Sequence, residues 1–408
     1  MKLSDYRGNW LIPALGLTQI VGWGSLFYAY GVLMQPMQID LHTSKPVIVG
    51  AYSVALLISG CLSTLAGSII DRIGGRLLMG AGTLLAVLML ALLANVHSVA
   101  ALYFAWAGIG IAMSATLYQP AFAVITQVFG GGYRRAITLL TLFGGFASTV
   151  SWPLTQFLLD RFGWRETWLI YAAANLLLCF PIHAFLPKIT SVPAASRPTA
   201  QTNNATLSAV LRDPSFYGIT AAITFNALVF SAMSLHLISI LHDRGVSASH
   251  AAAIGAMVGP MQVLGRILET TVGKKASSRQ IGMIATWLLP LSLALLIAPS
   301  EWILIYGVFA VMYGIGNGVM TIVRGTLPAE LYGRETYGAI SGAMSTPVLI
   351  AIAAGPFVAS LLYSATGGYT GTLWALIGIA AFGAILFVYV NPQSRNGPSP
   401  IAIEEMQS

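Results

Sequence analysis

The chain has 408 residues, of which 56% are hydrophobic and 8% are Asp, Glu, Lys or Arg, with a mean hydropathy of +0.78 and a formal net charge of +7. Soluble domains carry about 25% charged residues, so a water-soluble enzyme of this length is excluded: so few charges could not cover its surface. The basic excess lies in short stretches between apolar runs, which argues against nucleic-acid binding and for an integral membrane protein oriented by its Lys and Arg.

A helix needs about 20 mainly apolar residues to cross a bilayer. The first such run, 10–34, lacks a basic start followed by a small-residue cleavage site and reads as a span rather than a cleaved signal. It carries Tyr28 and Tyr30. The second and third runs, 47–70 and 77–96, flank the stretch GSIIDRIGGR, where Asp71, Arg72 and Arg76 put three charges in six residues. In so apolar a chain this clustering needs a reason. Gly74 and Gly75 allow a tight reversal between helices, and the arginines suit a headgroup layer. The alternative is an ordinary basic loop.

The pattern G-x-x-x-D-R-x-G-G-R, carried by Gly67, Asp71, Arg72, Gly74, Gly75 and Arg76, resembles the signature between the second and third helices of major facilitator superfamily (MFS) transporters. The resemblance implies an all-α membrane protein with twelve transmembrane helices in two six-helix bundles. It also implies a gating role for Gly67, Asp71, Arg72, Gly75 and Arg76, with Asp71 pairing to nearby arginines.

Runs at 99–129, 135–159 and 164–186 complete the first set. The fourth carries Tyr118 and Gln119; the fifth opens on Arg134 and Arg135. Polar sequence containing SRPTAQTNNAT then reads as a linker. The predicted division is a bundle at 1–187, a cytoplasmic linker at 188–213 and a second bundle at 214–408. The second set runs at 214–242, 249–272, 280–298, 302–329, 337–364 and 369–390. With the N-terminus inside, fourteen Lys and Arg fall on the cytoplasmic side and four outside, so both termini are predicted cytoplasmic. Arg266 and Arg324 stay within spans.

On the eighth span, Gly255, Gly259, Gln262, Arg266, Glu269 and Gly273 recur at spacings of three and four, which is one small and polar helix face. Charge inside a bilayer is costly and turns towards a partner or a wet cavity. Arg266 could hold a carboxylate through its planar fork, pair with Glu269, or reach the cytoplasmic interface. GPMQVLGR resembles the eighth helix of the monocarboxylate transporter branch, where an arginine four residues after an acid engages substrate. Arg266 matches the arginine, and Gln262 stands where that branch often has aspartate. GGGYRRAITLLTLFGGFAS and FGWRETWLI resemble that branch's fifth-span region and its later G-W-R. In the first span Ala29 stands near a position where some members carry lysine.

Tyr28, Tyr118, Asn226, Tyr313 and Asn317 are further candidates for substrate contact, with packing as the alternative for each. Arg135, Glu269 and Arg324 are gate candidates; aligning Gly265 with Gly67 puts Glu269 opposite Asp71 and Lys274 opposite Arg76, as a second-half copy of the motif. His183 and His236 fall within spans and could titrate, with a satisfied structural role as the commoner reading of a lone histidine. Cys61 and Cys179 read as small buried hydrophobes. No GxSxG, HExxH or phosphate loop is present, so the chain is not expected to be an enzyme and no cofactor or metal is implied. The expected protein is a monomeric secondary transporter in lipid, at a bacterial inner membrane. Its substrate would be a small organic anion, a monocarboxylate by the resemblance, moved by proton or antiport coupling. The rivals are an MFS exporter of drugs or metabolites, which the missing G-P-x-x-x-G-G signature disfavours, and a non-transporting sensor.

Overall fold

The computed structural model describes residues 4–129, 132–187, 206–273, 276–297 and 303–389. Among them there is no strand, and twelve long helical segments follow one another. In the first half these are α1 (Trp10–Asp40), α2 (Val47–Ile73), α3 (Gly75–Ala94), α4 (Val99–Phe129), α5 (Tyr133–Phe162) and α6 (Trp164–Ala184). In the second half they are α7 (Pro214–Asp243), α8 (Ala248–Thr271), α9 (Ser278–Leu295), α10 (Ile303–Tyr332), α11 (Tyr337–Thr366) and α12 (Tyr369–Tyr389). Ten of these are long and apolar enough to cross a membrane by length and composition. The other two, α8 and α9, carry Gln262, Arg266 and Glu269 or begin on Ser278, Arg279 and Gln280. Most of the proposed linker lies outside the described residues, as does Lys274; Leu207–Val210 forms one short helical turn before α7.

Several rods are interrupted where proline or glycine demands it. The run read as ending at 34 continues to Asp40 through a π-helical turn, Gly24–Tyr28. In α4, helix stops at Thr116 and restarts at Tyr118. Pro120 explains the break: it has no N–H for the Thr116 carbonyl, and its ring crowds that oxygen. The freed carbonyl accepts instead from Gln19 Nε2 on α1, at 3.0 Å. α5 is interrupted at Phe146, next to Gly144 and Gly145. α6 has a π-helical turn at Asn175–Cys179, just before Pro181.

Each half has its own core. In the first, Tyr30 stacks on Tyr52 with ring centroids 4.2 Å apart, and both meet Trp106 edge-on. Trp106 and Trp168 are fully buried. In the second, Tyr313 stacks between Phe230 and Phe309. The outer surface is apolar: Leu304 is 80% exposed and Phe357 71%, which in water would be a liability and in lipid is the solvated face. Cys179 is buried, but Cys61 is exposed, contrary to the sequence reading. On a surface that faces lipid, an apolar side chain gains nothing by being inside.

The halves meet most closely along α2 and α11. Gly67 lies against the backbone of Gly338, and a Cβ on either would overlap the other chain. Gly342 packs on Ser63 and Thr64 in the same way. Thr346 donates to the Gly60 carbonyl at 2.8 Å. Small residues are what allow such an approach. At the end of α2, Gly74 has φ +82°, a conformation that suits glycine and reverses the chain directly into α3.

Candidate functional site

Asp71 stands two residues before the end of α2. α11 opens at Thr336 with no side-chain cap, leaving the amides of its first turn without intrahelical partners. Asp71 supplies the acceptors. Oδ1 accepts from Gly338 N–H at 3.0 Å and Oδ2 from Ala339 N–H at 2.8 Å, while Gln127 Nε2 lies 3.4 Å from Oδ1. The carboxylate therefore caps a helix of the opposite half, where the helix dipole also favours it. This corrects the expectation that Asp71 pairs with arginines: Arg72 and Arg76 are exposed. Gly67 permits the close approach, and Gly75 packs against Val124 of α4.

A second contact between the halves lies at the same end. Glu269, two residues before the end of α8, is 6% exposed. Its Oε1 accepts from Arg134 Nε at 2.9 Å and Nη2 at 2.6 Å, and its Oε2 from the Thr138 hydroxyl at 3.2 Å. Arg134 also donates to the carbonyls of Ala276 and Gly273 just past α8, where a cation suits the helix C-terminus. The residue that meets Glu269 is thus Arg134. Arg135, the sequence candidate, is exposed and has no ion pair among the described residues. Neighbours on a helix point about 100° apart, so only one of the pair can face α8.

Arg266 sits one turn above Glu269 and is 4% exposed. It does not pair with Glu269, and its side chain is buried within the protein. Its Nη1 donates to the Thr141 carbonyl of α5 at 2.7 Å, and its Nε has no hydrogen-bond partner. Gly145 leaves the room the guanidinium occupies; a Cβ there would meet Nη1. Further along the same face, Gly259 looks into open space. The face read from sequence therefore runs from an open stretch at Gly259, past half-buried Gln262, to a floor at Arg266 and Glu269.

Opposite Arg266 the first half presents aromatic side chains. Tyr118 stacks on Phe122 at 5.1 Å and lies 5.2 Å from Trp23. Tyr28 meets Trp23, Phe27 and Trp152. The Tyr118 hydroxyl is within electrostatic reach of both Arg266 and Tyr28. Tyr28, Tyr118 and Arg266 are thus brought together, with Gln262 one turn from the arginine. The other candidates are placed elsewhere or remain peripheral. Tyr313 is committed to its own half, donating to the Phe230 carbonyl at 2.9 Å. Asn226 is buried on α7. Asn317 lies on α10 between Gly316, which packs on α9, and Gly318, which packs on the Gln262 backbone. Arg324 is half-buried on α10, its Nε without a partner, beside Gly325, which touches Phe122 and Ile137 of the first half.

Sequence reasoning missed Thr141, Thr138, Gly145, Trp23 and Trp152. The GG step in TLFGG was a usable signal, since paired glycines in a span mark close approach; a backbone carbonyl acceptor leaves no signal in sequence. The G-W-R match has a structural role at the end away from Asp71: Arg165 bonds Asp40 at 2.6 Å and the Ala94 and Val96 carbonyls, joining α1, α3 and α6. Two surface hollows, of about 570 and 600 Å³, are lined only by first-half residues and so do not belong to the site between the halves.

Comparison with known proteins agrees with this architecture. The chain is 25% identical to monocarboxylate transporter 13 of Rattus norvegicus over 326 residues, 78% of this chain and 74% of that protein. It is 23% identical to the MFS-type transporter YcxA of Bacillus subtilis over 384 residues, 89% and 90% of the two chains. Among solved structures it resembles the human organic anion transporter MFSD10, with a TM-score of 0.74 and 16% identity over 95% of this chain and all of that one. It also resembles the Escherichia coli fucose:proton symporter FucP, with a TM-score of 0.69 and 15% identity over 93% and 98% of the two chains. The family model described as Major Facilitator Superfamily matches residues 15–346, and the chain belongs to that superfamily of membrane transporters.

Proposed function

We propose that this transporter moves a small organic anion bearing a carboxylate, most simply a monocarboxylate, by alternating access. One observation carries the reading: Arg266 is a guanidinium 4% exposed, placed between the halves on a polar face, with no carboxylate partner among the described residues. Burying a charge without a counter-ion is costly, and an incoming carboxylate relieves that cost through charge-assisted hydrogen bonds. Tyr28, Tyr118 and Gln262 are the side chains we assign beside it, and Asn226, Asn317 and Tyr313 are assigned no direct part. Relatives that include a monocarboxylate transporter support the substrate class.

Asp71 and Glu269 hold the inner gate shut in this arrangement, and Gly67, Gly75 and Arg324 line it. The Lys and Arg bias supports a cytoplasmic position for this end and both termini; on this reading the membrane is a bacterial inner membrane, 1–187 and 214–408 are the rocking bundles and 188–213 joins them. The test is binding of lactate, pyruvate, benzoate and malate to purified protein, read by thermal shift. Arg266→Lys keeps charge but loses the fork and weakens binding about tenfold or more; Arg266→Gln nearly abolishes it. Unchanged affinity in a folded Arg266→Gln protein would overturn the carboxylate site and favour an exporter.

A further inference from the structure

The distribution of acids in this chain is as informative as the buried arginine. Every Asp or Glu in the twelve helical segments lies within two residues of a segment end: Asp40, Asp71, Asp160, Glu166, Asp243, Glu269 and Glu330. No carboxylate occupies the middle of any span. The one closest to Arg266 along α8, Glu269, is already engaged by Arg134 and Thr138. Gln262, one turn along α8, supplies an amide that cannot take up a proton.

We infer that the transporter is an anion exchanger, in which a substrate carboxylate on Arg266 is needed for each crossing in either direction. The inference rests on the carboxylate reading of Arg266. Proton symport on a buried arginine requires a protein acid that neutralises the guanidinium when the site is empty and is protonated when substrate displaces it. Among the described residues Arg266 has no such partner. The empty carrier must carry an uncompensated cation through its occluded state, where water is excluded and the cost is greatest. The loaded carrier passes with the charge neutralised.

The hydrogen bonding agrees. Arg266 donates Nη1 to the Thr141 carbonyl, which ties α8 to α5 across the two halves. An anion competes for the same guanidinium and loosens that tie, so substrate both neutralises the site and frees the gate. Other titratable side chains have their own partners: Asp71 is held by the Gly338 and Ala339 amides at the end of α2. Tyr28 and Tyr118, beside Arg266, are phenols, which ordinarily titrate well above neutral pH. His183 is buried against Thr83 between α3 and α6. His236 bonds Tyr369 and the Pro356 carbonyl within the second half.

The test uses full-length protein in proteoliposomes with radiolabelled lactate, pyruvate, benzoate and malate. Exchange predicts uptake at least about tenfold faster into vesicles preloaded with the same unlabelled anion than into empty ones. It also predicts no accumulation in empty vesicles when an inward proton gradient is imposed. Restoring an acid by Gln262→Glu, four residues before Arg266 and well oriented to pair with it, should speed uptake into empty vesicles about tenfold and make it respond to the proton gradient. Melting temperature checks that this variant folds; if it does not, the preloading arms decide alone. Wild-type uptake into empty vesicles as fast as into preloaded ones, with or without a proton gradient, overturns exchange while leaving the carboxylate reading intact. If that uptake follows the proton gradient and is lost in His236→Gln, His236 is the proton carrier. If none of the four anions moves or shifts the melting temperature, the carboxylate reading fails and the inference with it.

Discussion

Arg134 of α5 and Glu269 of α8 form the one ion pair, among the described residues, that joins the two halves of the transporter. The glutamate side chain is 3% exposed and the arginine side chain 26%, so the two partners are not equivalent. Removing the arginine strands a buried carboxylate; removing the glutamate leaves a cation that still reaches water and the carbonyls past α8.

We therefore expect Arg134→Gln to destabilise more than Glu269→Gln, by on the order of 3 kcal/mol against 1–2 kcal/mol. The check is thermal denaturation in detergent. The combined Arg134→Gln/Glu269→Gln protein should regain part of the loss, because a neutral pair can still hydrogen-bond. A double variant less stable than either single one would show that the pair is not coupled as drawn.

For Asp71 the acceptors matter as much as the charge. Asp71→Asn keeps one oxygen for Gly338 or Ala339 but sets an amide NH₂ against the other N–H. The expected loss is on the order of 1–2 kcal/mol of the closed state, larger in Asp71→Ala. The readout is reactivity of a cysteine placed at Thr141, which should rise from Asp71 to Asn to Ala. Equal reactivity in all three would remove Asp71 from the gate.

Gln19 and Pro120 should behave as a linked pair. Gln19→Leu leaves the Thr116 carbonyl buried without a donor and should cost about 1–3 kcal/mol. In a Pro120→Ala background the helix can close its own bond at that carbonyl, so Gln19→Leu should become nearly neutral. Thermal melts of the four proteins give the coupling directly, and additive losses would contradict it.

The membrane orientation has a simple check at Ser208, an exposed residue just before α7. A cysteine there should resist a membrane-impermeant thiol reagent in intact cells and react after lysis, in a background with Cys61 and Cys179 replaced. Full labelling in intact cells would invert the orientation.

The twelve spans and the superfamily were legible because they depend on quantities a sequence states outright: long apolar runs, scarce charge and the GSIIDRIGGR turn. The polar face of α8 was legible for the same reason, since helical periodicity places Gln262, Arg266 and Glu269 together. Partners were not. Asp71 binds two backbone amides and Arg266 a backbone carbonyl, and main-chain groups are the same at every position. The choice of Arg134 over Arg135 depends on the angle at which α5 meets α8, and Cys61 was misplaced because apolar residues in lipid need not be buried. The break in α4 was visible as Pro120, but its rescue by Gln19 joins residues 97 positions apart.

Gly67 and Gly338 meet without a side chain on either, with main chain touching main chain. Side chains can rotate, swing aside or trade one partner for another while a contact is being lost. A seam of bare peptide has none of those intermediate settings. As α2 and α11 part, that contact and the two bonds to Asp71 must be given up within one small displacement. The proposed gate should therefore work as a latch with two positions, and single-molecule distance traces across these helices should jump between two values and not drift through a continuum.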